Sequence, residues 1–159
     1  RRVLFRSLIA LERDREPVVG VIACHAAGET ASGAQGLGAW VNGRPARVST
    51  VDRLSEATLS MTSYASVRGM YPAGFDALVA ASGLSRAWGD CYGYLMVAAG
   101  RCDVMLDPEM SIWDAAALYP VVTGAGGRLT DWTGRDGVYD SVIATNGRLH
   151  EAVLAALGA

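Results

Sequence analysis

Asp107-Pro108-Glu109-Met110-Ser111-Ile112-Trp113-Asp114-Ala115-Ala116-Ala117 is the stretch on which the reading of this chain turns. The apolar Val104-Met105-Leu106 before it predicts a strand, and Ile112 to Val122 predicts a helix ended by the Gly124 to Gly127 cluster. Ser111 is the expected N-cap, with Asp114 three residues on in a capping-box-like pattern. Taken alone, Asp114 would only complement the first helical turn. Its neighbours point further, because Asp107 and Asp114 converge where a strand gives way to a helix, the usual place for a ligand site in an α/β layer. Gly89-Asp90 brings a third carboxylate after another predicted strand, Ser85 to Trp88, at the entry to a helix from about Cys91 to Ala99. The exposed N–H groups at that entry are available to an anion. Three acids beside a helix N-terminus suit a hard cation and a phosphate better than a covalent nucleophile.

Outward from this centre, the chain divides into two halves. Leu8 to Leu11 and Val18 to Ile22 read as a hairpin across the polar turn Glu12 to Pro17; Ala39 to Val41, the turn Asn42-Gly43 and Arg47 to Ser49 add two short strands. Gly28 to Gly38 between them reads as a Gly/Ala/Ser-rich connection, and Gly33 to Gly38 lacks the G-x-G-x-x-G spacing of a dinucleotide loop. Thr58 to Thr62 is a further strand, Phe75 to Ser82 a short helix, Arg128 to Thr130 and Ser141 to Thr145 strands, and Leu149 to Leu157 a terminal helix. An antiparallel first part and a mixed second part give an α/β (α+β) fold.

Composition removes whole mechanisms. The 159 residues are 51% hydrophobic and 19% charged, and all 14 basic residues are Arg. Without Lys, Schiff-base lysines, a P-loop lysine and a Ser-Lys dyad are excluded. Three cysteines without CxxC spacing and two histidines exclude a disulfide scaffold, a zinc finger and an HExxH site. No apolar run approaches the roughly 20 residues of a membrane span, and a net charge of −2 without a basic cluster argues against nucleic acid or an anionic membrane as partner. The expected partner is a small molecule and the expected compartment a reducing cytoplasm. His150 is expected to be solvated on its helix and Cys91 to be a small buried residue beside Asp90.

Trp113-Asp114-Ala115-Ala116-Ala117 followed by Thr123-Gly124-Ala125-Gly126-Gly127 resembles the C-terminal signature of the inositol monophosphatase superfamily. Arg86-Ala87-Trp88-Gly89-Asp90-Cys91-Tyr92-Gly93-Tyr94, with Asp107, resembles its histidinol-phosphatase branch, and Gly36 to Gly43 matches a β-region of the superfamily. The resemblance runs from Leu8 to the C-terminus. It implies a layered α/β/α/β/α fold and a Mg2+-dependent phosphomonoesterase acting on a small phosphate ester, with a homodimer as an assembly of the intact enzyme. It makes Asp114 a metal ligand and places substrate contacts on Gly89, Asp90, Cys91 and Asp107. Asp90 favours a cationic group over a ring hydroxyl, which favours histidinol phosphate over inositol phosphate. Arg86 is expected either to pair with these acids or phosphate, or to lie on the surface against Trp88.

The chain also departs from the family. The main metal motif, Asp-Pro-Ile/Leu-Asp-Gly-Thr, and the Glu upstream of it do not occur, and Asp107 with Asp114 cannot hold a metal pair roughly 3.5–4 Å apart. That motif would fall just before Leu8. Arg1 to Ser7 back-translates to the end of a common sequencing adapter, so these seven residues are expected not to be gene-encoded, leaving 8–159 as the C-terminal part of one domain. Removing Arg1, Arg2 and Arg6 from the count gives 14 − 3 = 11 Arg against 16 acids, a net charge of −5. A chain that begins inside a sheet is expected to be marginally stable. Two other readings stay open: an inositol- or sugar-phosphate phosphatase, and a non-catalytic small-molecule-binding domain.

Overall fold

The computed structural model describes residues 6–158. Arg1 to Phe5, most of the segment expected to be adapter-derived, lie outside the described residues, whereas Ser7 already belongs to the first strand. The first sheet is antiparallel in the order β1 (Ser7–Arg13), β2 (Glu16–Cys24), β3 (Glu29–Ala34), β4 (Gly38–Val41), β5 (Arg44–Pro45). Its two tightest turns have left-handed backbone at both central residues, Asp14-Arg15 and Asn42-Gly43, as a two-residue hairpin turn requires. The second sheet has the order β7 (Leu84–Arg86), β6 (Thr58–Met61), β8 (Val104–Asp107), β10 (Val142–Thr145), β9 (Arg128–Thr130). Strand β6 runs parallel to β7 and β8, while β10 is antiparallel to β8 and β9.

Between the sheets lie α3 (Asp90–Ala98) and α4 (Ile112–Gly124). Alternation along the strands assigns each side of the second sheet to its own core. Met105, Val142 and Ala144 join Ile22, Tyr94, Leu95 and Leu118 in one cluster. Leu59, Met61, Val104, Leu106 and Ile143 face the opposite side, against α1 (Tyr64–Met70), α2 (Pro72–Ala81) and α5 (His150–Leu157). The described residues thus make four layers, β/α/β/α. On the outer face of the first sheet, Ile9 and Leu11 are 63% and 60% exposed.

Several sequence expectations are corrected. The Gly/Ala/Ser-rich segment contains β3, a full strand rather than a connection. Its small residues reflect close approach: a Cβ on Gly33 would lie 2.4 Å from the Pro120 carbonyl oxygen, and one on Gly20 would lie 2.1 Å from that of Ala117. Helix α4 therefore packs backbone to backbone on β2 and β3, which only glycine permits. Arg47 to Ser49 pairs with no strand; Val48 N–H donates instead to the Ala125 carbonyl at 3.1 Å. Helix α1 was not expected; Ser63 caps it, its hydroxyl accepting the Ser66 N–H at 3.2 Å. His150 is fully buried, its ring nitrogens 3.0 Å and 3.1 Å from the hydroxyls of Thr130 and Thr145. Burial lowers its pKa to about 4, so it is the neutral imidazole that bridges two strands.

Candidate active site

Parallel pairing puts the C-terminal ends of β6 and β8 side by side, and both α3 and α4 start at that edge. A cleft of about 230 Å³ opens there, lined by Arg6, Leu8, Thr62, Asp90, Cys91, Asp107, Glu109, Met110, Ser111, Asp114 and Leu118. The crevice at the strand ends is where such sheets take ligands. Of the residues expected from sequence, Asp90, Cys91, Asp107 and Asp114 are brought together. Gly89 stands just behind them as the N-cap of α3. Its lack of a side chain is required, because a Cβ there would lie 2.6 Å from the Thr62 Cα. For Arg86 the surface alternative holds and the substrate-contact alternative is corrected: it is exposed on edge strand β7, its guanidinium donates to the Ser85 carbonyl at 2.9 Å, and it does not line the cleft.

Asp107 is the buried acid of the site. The Tyr94 hydroxyl donates to its Oδ2 at 2.8 Å, and the Trp132 indole N–H donates to its carbonyl at 2.9 Å. Burial raises its pKa from the ordinary 3.8 to about 6, against the pull of Thr62 and Tyr94 in the other direction. Asp90 sits in left-handed backbone, φ 55°, a conformation that Asp tolerates better than most side chains. Its N–H donates to the Thr62 hydroxyl at 2.8 Å. That donor is therefore already used. The Asp90 carboxylate pairs with the Arg6 guanidinium across the cleft.

The expected capping box is absent. Ser111 is the N-cap residue of α4 but makes no side-chain cap hydrogen bond; its carbonyl accepts the N–H groups of Asp114 and Ala115 at 2.9 Å and 3.0 Å. Ser111 and Asp114 both line the cleft. Cys91 is buried with its sulfur 3.7 Å from that of Cys24, and burial pushes its pKa up to about 12, so it offers an inert wall and no nucleophile. Sequence reasoning missed Thr62, Glu109 and Met110. Glu109 and Met110 lie in the loop between two residues already singled out, a usable signal; Thr62 carried none beyond ending a predicted strand.

Four carboxylates facing one guanidinium make a site that attracts cations. Among the described residues, no group of three or more His, Cys, Asp or Glu side chains is arranged to hold a metal ion.

Comparison with known proteins agrees with this geometry. Residues 7–159 match the Inositol monophosphatase family. A histidinol-phosphatase of Mycobacterium tuberculosis is 40% identical over 163 residues, covering 98% of this chain and 63% of the relative. One of Chlorobaculum parvum is 37% identical over 160 residues, covering 98% and 61%. An inositol monophosphatase from Zymomonas mobilis has the same fold with a TM-score of 0.90 at 31% identity, over 97% of this chain and 62% of that one. The chain spans about three fifths of the length of the relatives it matches. With the match extending over residues 7–159 and the two-sheet fold shared, the chain belongs to the inositol monophosphatase family.

Proposed function

We propose that these residues are part of a magnesium-dependent phosphomonoesterase whose substrate carries a cation on its alcohol part, and that this substrate is L-histidinol phosphate. The observation that carries the reading is the acidity of the cleft: Asp90, Asp107, Glu109 and Asp114 line one cavity. A protonated imidazole or an ammonium group supplies the opposite charge that such a cluster favours. A polyol offers Asp90 and Asp107 hydroxyls but no opposite charge. The names of the relatives at 37% and 40% identity support the same choice.

In this proposal Asp90 and Asp107 grip the alcohol part, Gly89 and Cys91 form the wall beside them, and Asp114 is a magnesium ligand. The residues present do not make a two-metal cage, since no set of three or more metal-ligating side chains converges among those described. What the chain's own side chains do is bind and orient: the paired carboxylates fix the cationic end and leave the ester facing the start of α4. We propose a cytoplasmic location, in keeping with three free, buried cysteines. No helix among the described residues is long and apolar enough to cross a membrane. That residues 1–7 are not gene-encoded is likewise a proposal, and the nucleotide sequence upstream of Leu8 decides it.

Phosphate release by the full-length protein tests the function, with L-histidinol phosphate and inositol 1-phosphate compared at equal magnesium. Faster turnover of the histidinol ester is expected. A preference for the inositol ester would replace the reading with an inositol-phosphate phosphatase, and turnover of neither with a binding domain.

A further inference from the structure

Tyr94 is fully buried in the core between the sheets, where a phenylalanine would fill the same space without a polar atom to satisfy. Its hydroxyl nevertheless has a partner, the carboxylate of Asp107 at 2.8 Å, and that carboxylate opens on the cleft. Tyr94 lies four residues after Asp90 on α3, one helical turn deeper. One helix therefore carries the first carboxylate at its mouth and, a turn below, the group that holds the second. The mouth is pinned too, since the Thr62 hydroxyl accepts the Asp90 N–H at 2.8 Å and Gly89 lets the two backbones meet.

We propose that Tyr94 and Thr62 are positioning residues of the cleft, which together set the separation of Asp90 and Asp107 so that both carboxylates reach one cation-bearing alcohol. The inference rests on the proposed function for the ligand but not for the geometry. An Asp side chain that loses a donor on one of its oxygens gains rotamer freedom about χ1, even with Thr62 still beside it. A donor embedded in the core one turn into a packed helix limits that freedom before a ligand arrives, which is how preorganised sites gain affinity.

The test uses the 159-residue chain with Tyr94→Phe, Thr62→Val and Thr62→Ser. Two readouts are taken beside a thermal melt: the χ1 rotamer of Asp107 from NMR couplings, and the Kd of L-histidinol with myo-inositol as reference. Tyr94→Phe is expected to leave Asp107 averaging between rotamers and to weaken L-histidinol by about tenfold, the equivalent of one net hydrogen bond. Thr62→Val is expected to weaken L-histidinol similarly, while Thr62→Ser, which keeps the hydroxyl, retains the affinity. A single Asp107 rotamer with unchanged L-histidinol affinity in Tyr94→Phe would overturn the proposal, as would Thr62→Ser behaving like Thr62→Val. Should Tyr94→Phe fail to fold, the two Thr62 variants decide. If the unsubstituted chain binds L-histidinol no better than myo-inositol, the substrate reading fails, and the Asp107 rotamer still decides the role of Tyr94.

Discussion

Strand β8 carries a buried carboxylate at each end, and the two have opposite fates. Asp103, just before the strand, and Asp107, its last residue, are both 5% exposed. Asp103 is closed off by the protein. The Thr58 N–H donates to its Oδ2 at 2.7 Å, the Ser49 hydroxyl to its Oδ1, and the Asn146 N–H to its carbonyl at 3.0 Å. Asp107 takes the Tyr94 hydroxyl on its Oδ2 and the Trp132 N–H on its carbonyl, with Thr62 beside it, and unlike Asp103 it also lines the cleft. Equal burial therefore separates a structural acid from a binding acid only when the donors are counted. An acid surrounded by donors staples the fold, and one left partly unsatisfied beside a cavity awaits a ligand.

The comparison can be broken most forcefully at the structural end. Asp103→Ala removes the acceptor of the partly buried Thr58 N–H and Ser49 hydroxyl and is expected to cost about 4 kcal/mol, read from denaturant unfolding. A loss under 1 kcal/mol would mean the staple is not structural. Next comes His150, a buried titratable group with no access to the cleft. Its native pKa lies below its unfolded 6.5, so the stability it contributes is present above that pH and is lost as pH falls toward about 4. The loss should reach about 3 kcal/mol, and a denaturation series from pH 7 to 4 should show that part of the slope vanish in His150→Gln.

Asp107 carries the opposite sign. Its native pKa of about 6 lies above the unfolded 3.8, so its contribution is present below the lower value and is lost as pH rises through the higher one. Asp107→Asn is accordingly expected to be more stable than the unsubstituted chain by about 2 kcal/mol at pH 8, with no difference at pH 4, while binding L-histidinol about tenfold more weakly. Stability gained together with binding lost is the mark of a site residue; a loss of both would put Asp107 in the same class as Asp103. The smallest effect is expected at the rim. Arg6→Ala removes the resident cation from Asp90 and should tighten L-histidinol a few-fold in a calorimetric titration, with stability changed by less than about 1 kcal/mol because the pair is half exposed. Weaker binding would show that Arg6 helps to bind the ligand and does not compete with it.

Much of this architecture was legible in the sequence where a local signal and the tertiary environment agree. The runs around β2, β6 and β8, the helix α4 with its glycine stop and the helix α3 with Asp90 at its entry all carry their periodicity in their own residues. Legibility failed where the partner lies far away in sequence. The glycines of β3 look like a loop because a residue chosen for contact with α4 has no strand propensity to display. His150 looks like a solvated helix residue because the hydroxyls that bury it belong to β9 and β10. Ser111 and Asp114 look like a cap because the pattern cannot say which way the two side chains turn.

By itself, then, the sequence determined the family signature, the α/β class and three of the four acids of the cleft, because each rests on residue types at short, fixed spacing. It also excluded lysine chemistry outright. Only the tertiary structure decided that Arg86 stands outside the site and that Arg6, Thr62 and Glu109 stand within it. It likewise decided that Asp103 and Asp107, four residues apart on one strand, do different work. The physical reason is that a carboxylate's role depends on how many donors reach it, and those donors come from β6, α3 and the segment around Ser49, which fold onto β8 from distant parts of the chain.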